Sequence, residues 1–352
     1  MGVRIEEFGT TKDGFQAKLY ILENENGSIV KVSDFGAVIV SIIVKDRDGK
    51  AADIALGYPD VTGYETNGPG FGACIGRCAN RIGNAAFTLN DITYSLEKND
   101  GKNNLHSGKN GYQKRPWEAE ELDSPLGAAV SFSLHSPDGD QGFPGNLDVT
   151  VTYTLTDEDS LILSYKAVSD ADTIVNLTNH SYFNLAGHGS GDVLKQKVWM
   201  DADFYTEADE ESIPTGQILP VAGTPMDFNT PKAIGEDIDS DYKAVVLGRG
   251  FDHNWILKTE DEVKLVARME DEGSGRGLEV YTDLPGMQFY TGNFLRGTET
   301  GKEGVIYQRR AGACFETQYF PDSVHHDNFP SPVLPAYKEY SSQTIFRFYV
   351  VE

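Results

Sequence analysis

Two residues stand out as candidates for proton transfer. His180 lies in Thr178–Asn184, where hydroxyl and amide side chains crowd the aromatic pair Tyr182 and Phe183. Histidine titrates near neutrality and can serve as a general acid or base. Read alone, it fits a hydrogen-bonded core histidine equally well. Glu316 lies in Ala313–Phe320, flanked by Cys314, Phe315, Tyr319 and Phe320. A carboxylate in that setting is desolvated, which raises its pKa and makes it a better base. Strand alternation also allows Glu316 to face solvent.

The remaining candidates are hydrogen-bonding groups. Arg81 and Asn80 sit in Gly76–Gly83, His106 in Asn103–Gly108, Asp252 in Gly250–Trp255 and Gln288 in Pro285–Tyr290. Each alone also reads as a solvated loop residue, and Arg77 with Arg81 as a surface pair. Trp255 is placed to stack on a sugar face. Together the groups comprise polar donors and acceptors, aromatics, one acid and one base, an inventory that fits a neutral carbohydrate in a cleft. Of the seven histidines, His135 reads as a surface residue and His188 as part of a flexible loop. His325 and His326 are loop neighbours, and no ligand spacing points to a metal. No phosphate loop, dinucleotide GxGxxG or esterase GxSxG is present.

Such scattered groups need a rigid frame, and the sequence reads as strand after strand. Val149–Leu155 alternates strictly with period two, and Leu161–Val168 follows a polar turn. Ala86–Leu96 alternates about Asn90-Asp91, a hairpin signal, and Val263–Met269, Leu278–Thr282 and Thr344–Val351 are further β-rich runs. No amphipathic helical stretch exceeds about ten residues. The pattern predicts an all-β fold, a sandwich or barrel. Strand-like runs continue from Ile29 to Val351 without a linker or fixed-period repeat, so residues 1–352 read as one domain.

Lys and Arg total 30 against 54 Asp and Glu in 352 residues, a net charge of −24. That balance opposes nucleic-acid binding. No apolar run approaches the roughly 20 residues of a membrane span. The charged start Met1–Glu6 lacks the apolar core of a secretory signal. Cys74, Cys78 and Cys314 cannot all pair, which predicts reduced thiols and a cytoplasmic location.

The order of motifs resembles the aldose 1-epimerase (galactose mutarotase) family. The resemblance rests on Gly76–Gly83, Asn104–Gly108, Asn179–Asn184, Phe251–His253, Pro285–Gln288 and Phe315–Gln318. It runs from about Phe35 to Phe348. It implies a β-supersandwich with an open cleft, and interconversion of the α and β anomers of free aldoses without a cofactor. It implies Glu316 as general base and His180 as general acid, mutually charged at neutral pH. It implies Arg81, Asn80, His106, Asp252 and Gln288 at substrate-binding positions. The expected partner is a small aldose, with the protein a monomer or homodimer. Two residues depart from the family pattern: Ser107, where glycine is usual, and Cys78.

Three rival readings use the same residues. A hexose-phosphate 1-epimerase would need extra cations, for which Arg309 and Arg310 are a source. A non-catalytic sugar-binding module would not need both His180 and Glu316. A glycosidase needs two carboxylates, and only Asp252 offers a partner for Glu316.

Overall fold

The structure, a computed structural model, describes residues 2–351. Antiparallel strands form most of the regular structure, and the two longest helices among the described residues, Val61–Thr66 and Lys243–Gly248, run six residues each. Three sheets carry the architecture. A nine-stranded sheet runs in the order Glu118–Leu122, Gly127–Ser136, Leu147–Thr156, Ser160–Ser169, Glu339–Val350, Arg276–Thr282, Lys264–Glu270, Lys197–Met200 and Lys232–Ala233. A five-stranded meander occupies the N-terminal part, from Gly2–Thr10 to Ala51–Asp53. A second five-stranded sheet runs Pro214–Pro220, Phe204–Ala208, Asp252–Ile256, Gly286–Tyr290 and Cys314–Gln318.

The expected alternation is realised in packing. Along Leu147–Thr156, Val149, Val151 and Tyr153 are buried while Asp148 is exposed. These side chains join one hydrophobic core with Leu22, Val30 and Val32 of the N-terminal sheet and Phe346 and Phe348 of the last strand. The same core takes Trp255, Met287, Phe289 and Phe315 from the second five-stranded sheet. Full burial of such a side chain contributes roughly 1.5–3 kcal/mol. The hairpin signal holds as well: Asn90 and Asp91 both take positive φ (51° and 63°) between Ala86–Leu89 and Ile92–Ser95. That geometry belongs to a two-residue turn matching the twist of its strands.

Three expectations change. Strands begin at Gly2, well before Ile29, because Gly2–Thr10 is an edge strand that buries only Phe8 and so shows no alternation. Trp255 is fully buried and donates from Nε1 to Met226 O, so it stacks on no sugar. His188 is buried, with Nδ1 3.0 Å from the Tyr307 hydroxyl, rather than part of a flexible loop.

Candidate active site

Strand period explains the floor of a cleft with a space of about 770 Å³. In Gly286–Tyr290, Met287 and Phe289 enter the core, so Gln288 and Tyr290 face the other way and line the cleft. In Cys314–Gln318, Phe315 enters the core and Glu316 lines the cleft. Register aligns Asn254, Gln288 and Glu316 across three neighbouring strands, with Asp252, Tyr290 and Cys314 in the next row. Gln288 Nε2 donates to Asp252 Oδ1 at 2.7 Å and holds that carboxylate still.

His180 arrives from the short strand Thr178–His180, which pairs with Ala73–Ile75. Its Nε2 lies 3.6 Å from Glu316 Oε2. The Tyr182 ring stacks on the imidazole with centroids 5.1 Å apart and planes at 21°. His106 meets it edge-on at 5.5 Å. His106 is itself held by a reciprocal clasp. Its backbone N–H donates to Asn80 O at 2.9 Å, and the Asn80 N–H donates to His106 Nδ1 at 3.1 Å. A neutral His106 therefore carries its proton on Nε2. Arg81 donates from Nε to Asp100 Oδ2 at 2.8 Å, which leaves the outer guanidinium nitrogens for a ligand.

All seven residues expected at the site, Glu316, His180, Arg81, Asn80, His106, Asp252 and Gln288, line this cleft. Asn80 is occupied at both ends of its side-chain amide. Its Oδ1 accepts from Arg81 N and its Nδ2 reaches Gln318 Oε1 at 3.4 Å. Asp100, Tyr182 and Tyr290 also line the cleft and Cys314 touches His180 Nδ1, although none of the four stood out as a site residue in the sequence. Alternation on one strand could have placed Cys314 beside Glu316, whereas Asp100 lies in a polar turn without a distinguishing signal.

The two departures from the family pattern touch each other. Ser107 has φ 64°, the left-handed region that favours glycine. Its Oγ accepts from Cys78 N at 2.8 Å and donates to Cys78 O at 3.0 Å. The hydroxyl thus ties the His106 turn to the segment that carries Asn80 and Arg81. Arg77 is no surface residue but fully buried, donating to Pro144 O, Gly145 O and Ser136 O. Arg309 and Arg310, the cations offered for a phosphate, do not line this cleft. Arg309 donates to Arg249 O and Arg310 pairs with Asp239.

Burial dominates the electrostatics. It pushes His180 down to about 4. It holds His106 well below its ordinary value, helped by the charges of His180 and Arg81. It raises Glu316 well above the usual carboxylate range, with Asp252 adding to the rise and Arg81 opposing it. Asp252 is raised for the same reason, with Arg81 and Gln288 opposing. Both shifts run against the mutually charged His180–Glu316 pair expected from sequence, which is the form the proton transfers themselves require. Desolvation favours one proton held on Glu316 beside a neutral imidazole.

One nitrogen each of His106 and His180 and one Glu316 oxygen lie within 4.8 Å of one another, a group that could hold a metal ion. The outer hydrogen bonds run against that use. A metal-bound imidazole donates from its far nitrogen, whereas His106 Nδ1 receives a backbone N–H.

The apposed His180 and Glu316, among polar side chains in a cleft of a large antiparallel sandwich, suit a carbohydrate-directed isomerase. The chain belongs to the aldose 1-epimerase family, whose family model matches residues 18–347. It is 46% identical over 321 residues to the galactose mutarotase of Rattus norvegicus, covering 91% of each chain. It is 39% identical over 342 residues to the aldose 1-epimerase of Escherichia coli K12, covering 96% of each. The fold matches a solved aldose epimerase homologue from C. elegans with TM-score 0.87 and 29% identity, over 96% of this chain and all of that one. A galactose 1-epimerase from Lactobacillus acidophilus also gives 0.87, at 28% identity over 99% of both chains. No helix among the described residues is long and apolar enough to cross a membrane.

Proposed function

We propose that this protein interconverts the α and β anomers of free aldohexoses such as glucose and galactose, with Glu316 as base and His180 as acid. The observation that carries the reading is the His180 Nε2–Glu316 Oε2 approach of 3.6 Å inside a cleft that also gathers Arg81, His106, Asp252 and Gln288. The relatives' names, galactose mutarotase and aldose 1-epimerase, support the same reaction.

The chemistry follows from the groups. The pair holds one proton, and the working form places it on His180, with Arg81 favouring the carboxylate. Glu316 takes the proton from the C1 hydroxyl of the cyclic sugar while His180 Nε2 gives its proton to the ring oxygen. The C1–O5 bond breaks and a free aldehyde forms. Rotation about C1–C2 turns the other carbonyl face toward O5. Closure then returns both protons to their starting groups, so atoms balance over the cycle. Each positioned proton transfer contributes typically about 10²–10⁴-fold. Arg81, His106, Asp252 and Gln288 fix the sugar hydroxyls and orient C1 between the pair.

We read the whole chain as one catalytic domain, supported by a core shared among its three main sheets. The unpaired cysteines Cys74, Cys78 and Cys314 fit a reducing compartment, and we place the enzyme in the cytoplasm. Polarimetry on freshly dissolved α-D-galactose and α-D-glucose tests the reading. Faster decay to an unchanged final rotation is the expected result. Decay at the buffer rate with both sugars would reject it.

A further inference from the structure

Cys314 and Glu316 stand two apart on one strand, so both side chains leave the same face. The imidazole of His180 spans the gap. Its Nε2 lies 3.6 Å from Glu316 Oε2 and its Nδ1 lies 3.5 Å from Cys314 Sγ. Tyr182 stacks on one side of the ring and His106 meets it edge-on. The ring is therefore held in its plane, and its two nitrogens have fixed neighbours.

The proton on one imidazole nitrogen is governed by the partner of the other. A carboxylate or carbonyl at Nδ1 only accepts. It would pin a proton there and make the ring more basic. A thiol both gives and takes weak hydrogen bonds. When His180 is a cation, Nδ1–H donates to Sγ. After Nε2 has released its proton, that bond persists, and when Nδ1 is bare the S–H turns toward it. Every protonation state of the ring keeps a partner, and none is strongly favoured. Cys314 is fully buried, and burial holds its thiol well above its ordinary pKa, so the sulfur stays uncharged.

We propose that Cys314 is a positioning residue for the reaction: its two-way hydrogen bond to Nδ1 keeps His180 Nε2 aimed at the reacting atoms and leaves the imidazole acidic enough to protonate a ring oxygen. The inference rests on the reading of His180 as the acid.

Shape and hydrogen bonding order the substitutions oppositely. Valine fills the thiol's space with one methyl group to spare and makes no hydrogen bond. Serine keeps the hydrogen bond and loses bulk. Cys314→Ser is expected to hold kcat within about threefold of wild type, and Cys314→Val to lose at least about tenfold in kcat, with KM changed by less than about twofold, the low end for an outer hydrogen-bond partner. Cys314→Ala, which fits without crowding, is expected to follow Cys314→Val and decides the matter if the valine protein does not fold. A valine protein with wild-type kcat, or a serine protein impaired as much as the valine one, overturns the proposal. The contact itself is read without substrate from the ¹⁵N resonance of His180 Nδ1. It should move in Cys314→Ala and stay near its wild-type position in Cys314→Ser, and an unmoved resonance in Cys314→Ala overturns the proposal. Full turnover in His180→Asn would instead sink the acid assignment, a separate failure that the resonance test does not share.

Discussion

His180 Nε2 and Glu316 Oε2 face each other at 3.6 Å with both side chains almost wholly buried. Burial pushes His180 down to about 4 and Glu316 upward, so burial favours neutrality of the pair over charge on each member. The facing groups Asp252 and Arg81 pull Glu316 in opposite directions, and His106 and Cys314 are held uncharged by burial.

The pH dependence follows from that proton count. Below His180's depressed value, near 4, a second proton enters the pair and no base remains. Above Glu316's raised value the single proton is lost and no acid remains. Turnover is expected to hold between these limits and fall on both sides, with limbs that belong to the pair. The profile of kcat from pH 4 upward checks this. A decline already complete at Glu316's ordinary value, 4.5, would contradict it.

Two groups that act as a unit should not add when removed together. His180→Asn and Glu316→Gln are each expected to lose at least about a hundredfold in kcat. The double variant should be little worse than the poorer single one. Fully additive losses would show that the two work independently.

Asp100 steers Arg81 through the bond to its Nε at 2.8 Å. The pair is partly open to solvent, with side-chain exposures of 15% for Arg81 and 38% for Asp100, so its strength is modest. Asp100→Ala is expected to raise KM for galactose by about two- to fivefold, the reach of a partly exposed ion pair, with kcat less affected. An unchanged KM would remove Asp100 from the binding machinery.

The Ser107 hydroxyl satisfies both backbone groups of Cys78. Ser107→Ala leaves a buried N–H unpaired, which costs about 1–3 kcal/mol. Equilibrium urea denaturation should show the loss. Ser107→Gly relaxes the positive φ yet forfeits the same bonds, so it should stabilise less than wild type does. A glycine variant more stable than wild type would show that backbone strain outweighs the clasp.

Much of this architecture was legible in residue order. Leu147–Thr156 alternates because one face meets the core and the other is wet, and that contrast is written in its residue types. Gly2–Thr10 was illegible because an edge strand with little burial has no contrast to write. Trp255 shows the opposite limit. Asp252 on the same strand lines the cleft, but alternation turns the indole inward. Glu316 and His180 were readable as types in apolar company. Their approach depends on pairing between segments more than a hundred residues apart, which no local pattern encodes. The reversal of their charge preference is likewise a property of enclosure, visible only once the strands are assembled.

The central claim is that Glu316 takes the C1 proton. It is tested most directly by the saturated mutarotation rate of Glu316→Gln on α-D-galactose, with binding followed separately by calorimetry. The account expects kcat to fall at least about a hundredfold while galactose still binds. A Glu316→Gln protein that binds galactose and turns it over near the wild-type rate would contradict the account.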